Sequence, residues 1–265
     1  IVPLLEDRRR RILYGFSVFG RQDYDDIVAS TTETSRIRHL VGEALAHYKH
    51  YRLIVAFTNQ SGLLYAAYGE RCVFEENCVD IPLPRSHEEW FATISSHQRQ
   101  NIRTAYNRMG RKGIEPKLVC YDHKHPVPAR LWDELNIIYQ RRHHEPVSLL
   151  ERWRNAYYHI LRRNRESMTM VLTTADGRPM AYMSGLYSPQ QQTYYIPRLC
   201  INNDYAEFSP GIVLIAETLK QIIPMGMKHL DLMRGDEPYK LAMGGAIHKN
   251  YRLDCGVEEL KKHIT

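Results

Sequence analysis

Between residues 168 and 200 the apolar positions come in three short runs bounded by turn residues, "MTMVLTTADGRPMAYMSGLYSPQQQTYYIPRLC". The pattern predicts three strands. Asp176–Gly177 is a tight hairpin signal between the first two, and "SPQQQ" joins the second to the third. The three therefore form an antiparallel meander. After "INNDYAEF" the rhythm becomes helical in "SPGIVLIAETLKQIIPMG", with Ser209 as N-cap, Pro210 at the first helical position and Gly226 at the end. "KHLDLMR" predicts one more strand, which runs straight into the ionisable loop "GDEPYK".

Residues 1–92 read as mixed α/β. "RRRRILYGFSVFG" carries a strand-like run closed by Gly20, and "YRLIVAFTN" and "NCVDIPLP" are further strands. "DDIVASTTETSRIRHLVGEALAHYK" has helical spacing at Ile37, Leu40, Val41, Ala44 and Leu45. A single long helix is expected over 87–112, with Ser86 as N-cap and Glu89 as its capping-box partner. Glu88 and Glu89 in its first turn and Arg108, Arg111 and Lys112 in its last suit the helix dipole. "EPKLVCYD" then predicts a strand, and "PARLWDELNIIYQRRHH" and "LLERWRNAYYHILRRNRES" predict two helices.

Composition narrows the class. The chain has 265 residues, 43% hydrophobic and 25% charged, enough for a substantial core. No run of 18 apolar residues occurs, so no membrane-spanning helix is expected. The chain opens without a signal-peptide pattern and without Met, which suggests further residues upstream. Five widely spread cysteines without metal spacing argue for reduced thiols in the cytoplasm and against a disulfide framework or a zinc site. His143–His144 and the "DHKH" of 122–125 lack ligand company and read as surface, so no metal is expected. The net charge of +6 favours an anionic partner: nucleic acid, a membrane surface or a phosphate-bearing small molecule.

Chemistry concentrates in two places. The helix at Ser209–Pro210–Gly211 begins with unpaired N–H groups and a glycine that lets a ligand approach, which suits an anion, although the same tripeptide also simply starts helices. In "DLMRGDEPYK", Asp231 is either a base facing a cleft or a partner for Arg103, Arg198 or Arg234. Glu237, Tyr239 and Lys240 are either functional or a solvated turn. Arg99 and Arg103, one turn apart, make with Tyr106 a basic and aromatic stripe that could grip phosphate. Tyr194 and Tyr195 point to opposite faces of their strand, one into the core and one into a cleft, and Pro197 marks a break in pairing.

The meander, the Ser-Pro-Gly helix and the next strand resemble the core of the GNAT acyltransferases. More narrowly, "SPGIVLIAETLKQIIPMGMKHLDLMRGDEPYK" and "SSHQRQNIRTAYNRMGRKG" resemble the FemAB/CelD-like branch. The resemblance covers about residues 85–250. It implies a mixed, mostly antiparallel sheet flanked by helices, as a tandem of a partial unit in 1–85 and a complete unit in 86–265. It also implies transfer of an acyl group from acyl-CoA to an amine on a sugar, lipid or peptide intermediate, without a covalent enzyme intermediate. Ser209, Pro210, Gly211 and Tyr195 would hold the donor; Arg99, Arg103 and Arg198 the substrate; and Asp231, Glu237, Tyr239 and Lys240 would carry catalysis. Ala206 and Glu207 stand where the GNAT phosphate loop has a cation or amide. Fem-type ligases of the same fold take aminoacyl-tRNA instead, and a basic chain suits either donor. Two other readings remain: a nucleic-acid-binding protein using helix 87–112, and a scaffold that keeps the fold without turnover. Peripheral membrane contact also fits.

Overall fold

A computed structural model describes residues 1–16, 24–143 and 163–261. Its elements run β1 (Leu5–Asp7), β2 (Ile12–Tyr14), α1 (Thr34–Ala44), β3 (Arg52–Asn59), α2 (Leu63–Tyr68), β4 (Cys72–Pro82), α3 (His87–Thr93) and α4 (Ser96–Arg111). Then come β5 (Lys117–Asp122), α5 (Ala129–His143), β6 (Ser167–Thr173), β7 (Pro179–Ser188) and β8 (Thr193–Ile201). The chain ends with α6 (Pro210–Ile222), β9 (His229–Arg234), α7 (Pro238–Ala242), β10 (Ala246–Gly256) and α8 (Val257–Lys261). Among the described residues no helix is long and apolar enough to cross a membrane.

The chain divides into two units. The first takes Ile1–Val79, Arg234–Asp236 and Ile247–Thr265; the second takes Asp80–Met233 and Glu237–Ala246. In the first, β1 pairs antiparallel with β2, β2 runs parallel to β3, and β10 pairs antiparallel with β3. Its core joins Leu13, Ile37, Val41, Leu53, Val55 and Tyr68 to the late residues Leu253, Val257 and Leu260. Helix α1 starts at Thr34, well after the helix expected from residue 25. The carboxylate of Asp26 accepts from the N–H groups of Leu63 and Leu64 at 2.7 and 2.8 Å. That caps α2 and ties the preceding stretch down as irregular chain.

In the second unit β6, β7 and β8 form the expected antiparallel meander, β5 pairs antiparallel with β6, and β9 lies parallel to β8. Gly177, at φ +86°, makes the hairpin turn between β6 and β7. Strand alternation sorts the side chains. Met168, Met170, Met183 and Tyr194 pack on one face with Ile102 and Met109 of α4 and Val213 and Leu214 of α6. Val171, Tyr182 and Cys200 pack on the other with Trp132, Leu135 and Ile138 of α5.

The single helix expected over 87–112 is two. Ser86 Oγ accepts from Glu89 N–H as predicted, but Ser95 Oγ accepts from Gln98 N–H and starts α4 anew. The stretch Ser95-Ser96-His97-Gln98 has the capping-box spacing itself. Residues 235–240, expected as loop, include the start of α7, and β10 and α8 had no counterpart in the sequence reading. The strand run at 17–20, His144 and residues 149–162 of the helix expected over 149–167 lie outside the described residues; the rest of that helix is a turn leading to Ser167, which starts β6.

Candidate active site

Strands β8 and β9 pair over only three positions: Thr193 with His229, Tyr194 with Leu230 and Tyr195 with Asp231. Beyond Tyr195 the pairing stops, although β8 continues to Ile201. The cause is a bulge on the other side of β8. Ser184 of β7 faces Arg198 and Leu186 faces Tyr195, so Ile196 and Pro197 oppose Gly185 alone. A Cβ on Gly185 would lie 1.8 Å from the carbonyl oxygen of Tyr195, so only glycine allows this approach. Pro197 has no N–H to offer a neighbour, as its place in the sequence suggested.

Tyr194 and Leu230 face the core under α4 and α6, and the Tyr194 hydroxyl donates to the Met168 carbonyl at 2.9 Å. Tyr195, His229 and Asp231 alternate to the opposite face. Burial, then the negative charges of Asp231 and Asp80, pushes the Tyr195 hydroxyl above its ordinary pKa. That hydroxyl donates to Gln191 Oε1. Asp231 is 5% exposed and its Oδ1 accepts from Met233 N–H at 2.7 Å, across a left-handed backbone turn with φ +61° at Met233. Two residues before Asp231, His229 Nδ1 lies 2.6 Å from Asp80 Oδ2. This His–Asp pair escaped the sequence reading, because its members are 149 residues apart.

Helix α6 starts just past the end of β8. Ser209 occupies the N-cap position, but its backbone is left-handed (φ 50°, ψ 50°) and its side chain makes no cap bond, contrary to expectation. A hydroxyl caps from an extended N-cap residue, and here the backbone is turned away from that geometry. Pro210 is at the first helical position as expected, and Gly211 sits against Ile201 of β8, with a Cβ there only 3.2 Å from the Ile201 methyl. Cations reach the preceding turn from elsewhere in the unit. Arg108 of α4 donates to the Glu207 carbonyl at 3.3 Å, and Arg142 of α5 donates to Asn203 Oδ1 at 2.9 Å.

Lys240 lies on α7, which Pro238 initiates after Glu237 at the N-cap. Its residue is 3% exposed, and its ammonium sits 2.9 Å from Glu237 Oε2, whose side chain is 54% exposed. The helix is moored from behind. Trp90 Nε1 donates to the Met243 carbonyl at 3.0 Å, and the Gln98 amide contacts Met243 Sδ at 3.1 Å. Tyr239 is at the surface, and burial of its ring followed by the nearby Glu237 raises its hydroxyl to about 12.

The basic stripe on α4 does not stand free as a unit. Arg99 donates to the carbonyls of Phe91, Ala92 and Ile94, capping the end of α3. Arg103 is exposed and lies over the Phe91 ring at 5.6 Å. The Tyr106 hydroxyl donates to Glu217 of α6, which also holds Lys220 at 2.6 Å. Burial and that carboxylate drive the Tyr106 pKa far up. Arg198 is 2% exposed; it donates to Asn136 Oδ1 at 2.9 Å and stacks on Tyr139 at 4.0 Å, beneath α5. Thus Tyr195 and Asp231 come together, and so do Glu237 and Lys240, while Arg99 is turned to a structural task.

A family model described as the acetyltransferase (GNAT) domain matches residues 96–241. No curated protein matches the chain. Among solved structures, FemX is similar at 9% identity, covering 99% of this chain and 86% of its own, with a TM-score of 0.65. L-PGS from Bacillus licheniformis is similar at 10% identity, covering 98% and 84%, with a TM-score of 0.62. The C-terminal domain of a putative lysylphosphatidylglycerol synthetase from Agrobacterium fabrum is similar at 11% identity, covering 93% and 77%, with a TM-score of 0.61. At such identities the likeness is one of fold.

Proposed function

The chain belongs to the acetyltransferase (GNAT) domain family, and from that premise we propose that it is an N-acyltransferase moving an acyl group from acyl-CoA to an amine of a sugar, lipid or peptide intermediate. One observation carries the reading. Strands β8 and β9 part after Tyr195 and Asp231, and the N-terminus of α6 begins just past the end of β8. A thioester lying in that opening meets backbone groups of β8 left without a β9 partner, and its phosphates meet the first N–H groups of α6 at Ser209–Gly211. Arg108 and Arg142 offset the negative charge that Glu207 brings to the turn.

In this scheme Tyr195 lines the donor at the apex of the opening. Lys240, held by Glu237, supplies positive charge for the anion that develops on the acyl oxygen or on the leaving group. Tyr239, protonated at neutral pH, is a proton donor for the leaving group. Arg103 is a candidate for the acceptor; Arg99, engaged by three carbonyls, and Arg198, 2% exposed on Asn136 and Tyr139, are set aside. The CelD-like branch remains part of the proposal, on the run from Ser209 to Lys240.

A second reading takes its donor from aminoacyl-tRNA. Glu207 at the donor turn favours it, and one similar structure is by name a putative lysylphosphatidylglycerol synthetase, which makes a lipid amine or hydroxyl a natural acceptor. Calorimetric titration with acetyl-CoA and longer acyl-CoAs, against desulfo-CoA and ATP, separates the two. Binding selective for the thioesters is expected. A folded sample that ignores every one of these ligands moves aminoacyl-tRNA to the front. A nucleic-acid-binding protein without turnover would instead bind tRNA regardless of its aminoacylation, with affinity falling steeply as salt rises.

A further inference from the structure

The amine must lose a proton as it attacks, and the groups so far assigned do not accept one well. Lys240 is a cation in an ion pair. Tyr195 and Tyr239 are neutral phenols whose pKa values are raised further. Asp231 is 5% exposed and has an oxygen engaged by the Met233 N–H. His229 differs from all of these. It lies on the same face of β9 as Asp231, one alternation nearer the strand's start, about 7 Å along the strand at the usual rise per residue. Its side chain is 45% exposed.

The partner fixes its chemistry. An ionised carboxylate only accepts hydrogen bonds, so the 2.6 Å contact with Asp80 Oδ2 requires Nδ1 to be the donor. In the neutral ring Nε2 then carries the lone pair. The contact is set by the sheet: Leu83 N–H donates to the Lys228 carbonyl at 2.7 Å, laying the end of β4 beside the start of β9. Val79 and Ile81 are buried, so Asp80 between them points to the other face, the face His229 occupies. Among the described residues, the charged or titratable groups that face His229 from these strands are Asp80 on β4, Asp231 on β9 and Tyr195 on β8.

We propose that His229 is the proton acceptor for the incoming amine and that Asp80 is its positioning residue. The inference rests on the acyltransfer reading and deepens it, because it assigns the acceptor's proton a destination. The nitrogen lone pair forms the new C–N bond to the acyl carbon, and the C–S bond to coenzyme A breaks. The leaving sulfur takes a proton from Tyr239, the proton released by nitrogen passes to His229 Nε2, and exchange with solvent returns one to Tyr239. The products are an amide and a thiol.

The test uses the full chain with acetyl-CoA and a panel of primary amines: glucosamine, lysine amide and phosphatidylethanolamine vesicles. Thioester loss is followed across pH. Wild-type turnover rises with pH and levels off, as a reaction that needs a free base does. His229→Gln lowers the rate by about 10²–10⁴-fold, the usual worth of a general base, and flattens the profile. Free imidazole partly restores His229→Ala, which a structural histidine would not show. Acetyl-CoA titrated into His229→Gln still binds. Nitrogen-15 histidine NMR of the wild type reports a proton on Nδ1 and a bare Nε2, and Asp80→Ala loses that preference. Wild-type turnover with an unchanged His229→Gln profile, or a proton found on Nε2 in the neutral ring, overturns this assignment alone. Wild-type protein that neither binds acetyl-CoA nor turns over removes the acyl-CoA reading beneath it.

Discussion

Lys240 sits in a setting that separates function from stability. Its charge is buried, and its partner Glu237 is mostly in water, so that carboxylate stays hydrated when the ammonium is removed. On the proposed chemistry, Lys240→Ala lowers acyl-transfer turnover by about 10²–10³-fold, as loss of a preorganised donor does. The melting temperature stays within a few degrees. Full turnover per folded molecule, with a large drop in melting temperature, would make Lys240 a structural residue. The cysteines give a prediction of another kind. Burial raises Cys72, Cys200 and Cys255 to about 11. At pH 8 about one in a thousand of each is thiolate, and the fraction grows tenfold per pH unit. Alkylation of the part-exposed Cys72 and Cys255, read by mass spectrometry, therefore accelerates about tenfold per pH unit from pH 8 toward 11. The folded state prefers the neutral thiol, so these groups favour folding fully below their ordinary range, and that contribution is lost as pH rises toward 11. Rates that stay flat across this window would show thiols already ionised. At this scale Lys240, Asp231 and Tyr195 stood out in the sequence by type and spacing, and the structure buries Lys240 and Asp231. The His229–Asp80 pair did not stand out, because its carboxylate comes from a distant strand.

At the scale of elements, the opening between β8 and β9 is made by three residues of different kinds. Pro197 withholds a hydrogen bond, Gly185 lets β8 press against β7, and Asp231 engages the strand end through Met233. Gly185→Ala puts a methyl group 1.8 Å from the Tyr195 carbonyl, against backbone that has no flexible end to move. A loss of about 2–3 kcal/mol, the range of an overpacked site, is expected in urea unfolding. A variant as stable as the wild type would mean that the bulge relaxes freely. Pro197 was legible as a break because a missing N–H is a local fact. The split of the 87–112 helix was missed, although Ser95 and Gln98 have the spacing of a second helix start. Arg198 was not. The extra residue in the bulge sets which face it takes, and that face leads to Asn136 and Tyr139 of α5.

For the whole molecule, the division of the chain is not a division of the sequence. The first unit's core takes Leu253, Val257 and Leu260 from the chain's end, and β10 pairs with β3 across some two hundred residues, Asp254 opposite Ile54. Ending the chain at Ala246 removes those three side chains, each worth about 1.5–3 kcal/mol when buried, along with a neighbour of β3. Hydrogen exchange should then find the amides of 53–56 unprotected, while those of β6 and β7 keep their protection. Slow exchange at 53–56 in the shortened chain would show that the first unit closes without its last strand.

The sequence by itself determined what is local. Alternation defined the meander and β9, Asp176–Gly177 defined a turn, and Ser-Pro-Gly and Ser86 before α3 defined helix starts. The run from Ser209 to Lys240 was enough to resemble a family whose model also matches the chain. Tertiary structure decided which polar groups share a face. Period-two alternation says which side of its own strand a residue takes, but not which strand lies beside it, nor whether a bulge has reversed the count. The pairing of β4 with β9 brings Asp80 to His229, and the pairing of β8 with β9 brings Tyr195 to Asp231. Neither follows from spacing along the chain, because strand pairing is decided by the burial of whole faces, not by the polar residues that the pairing brings together.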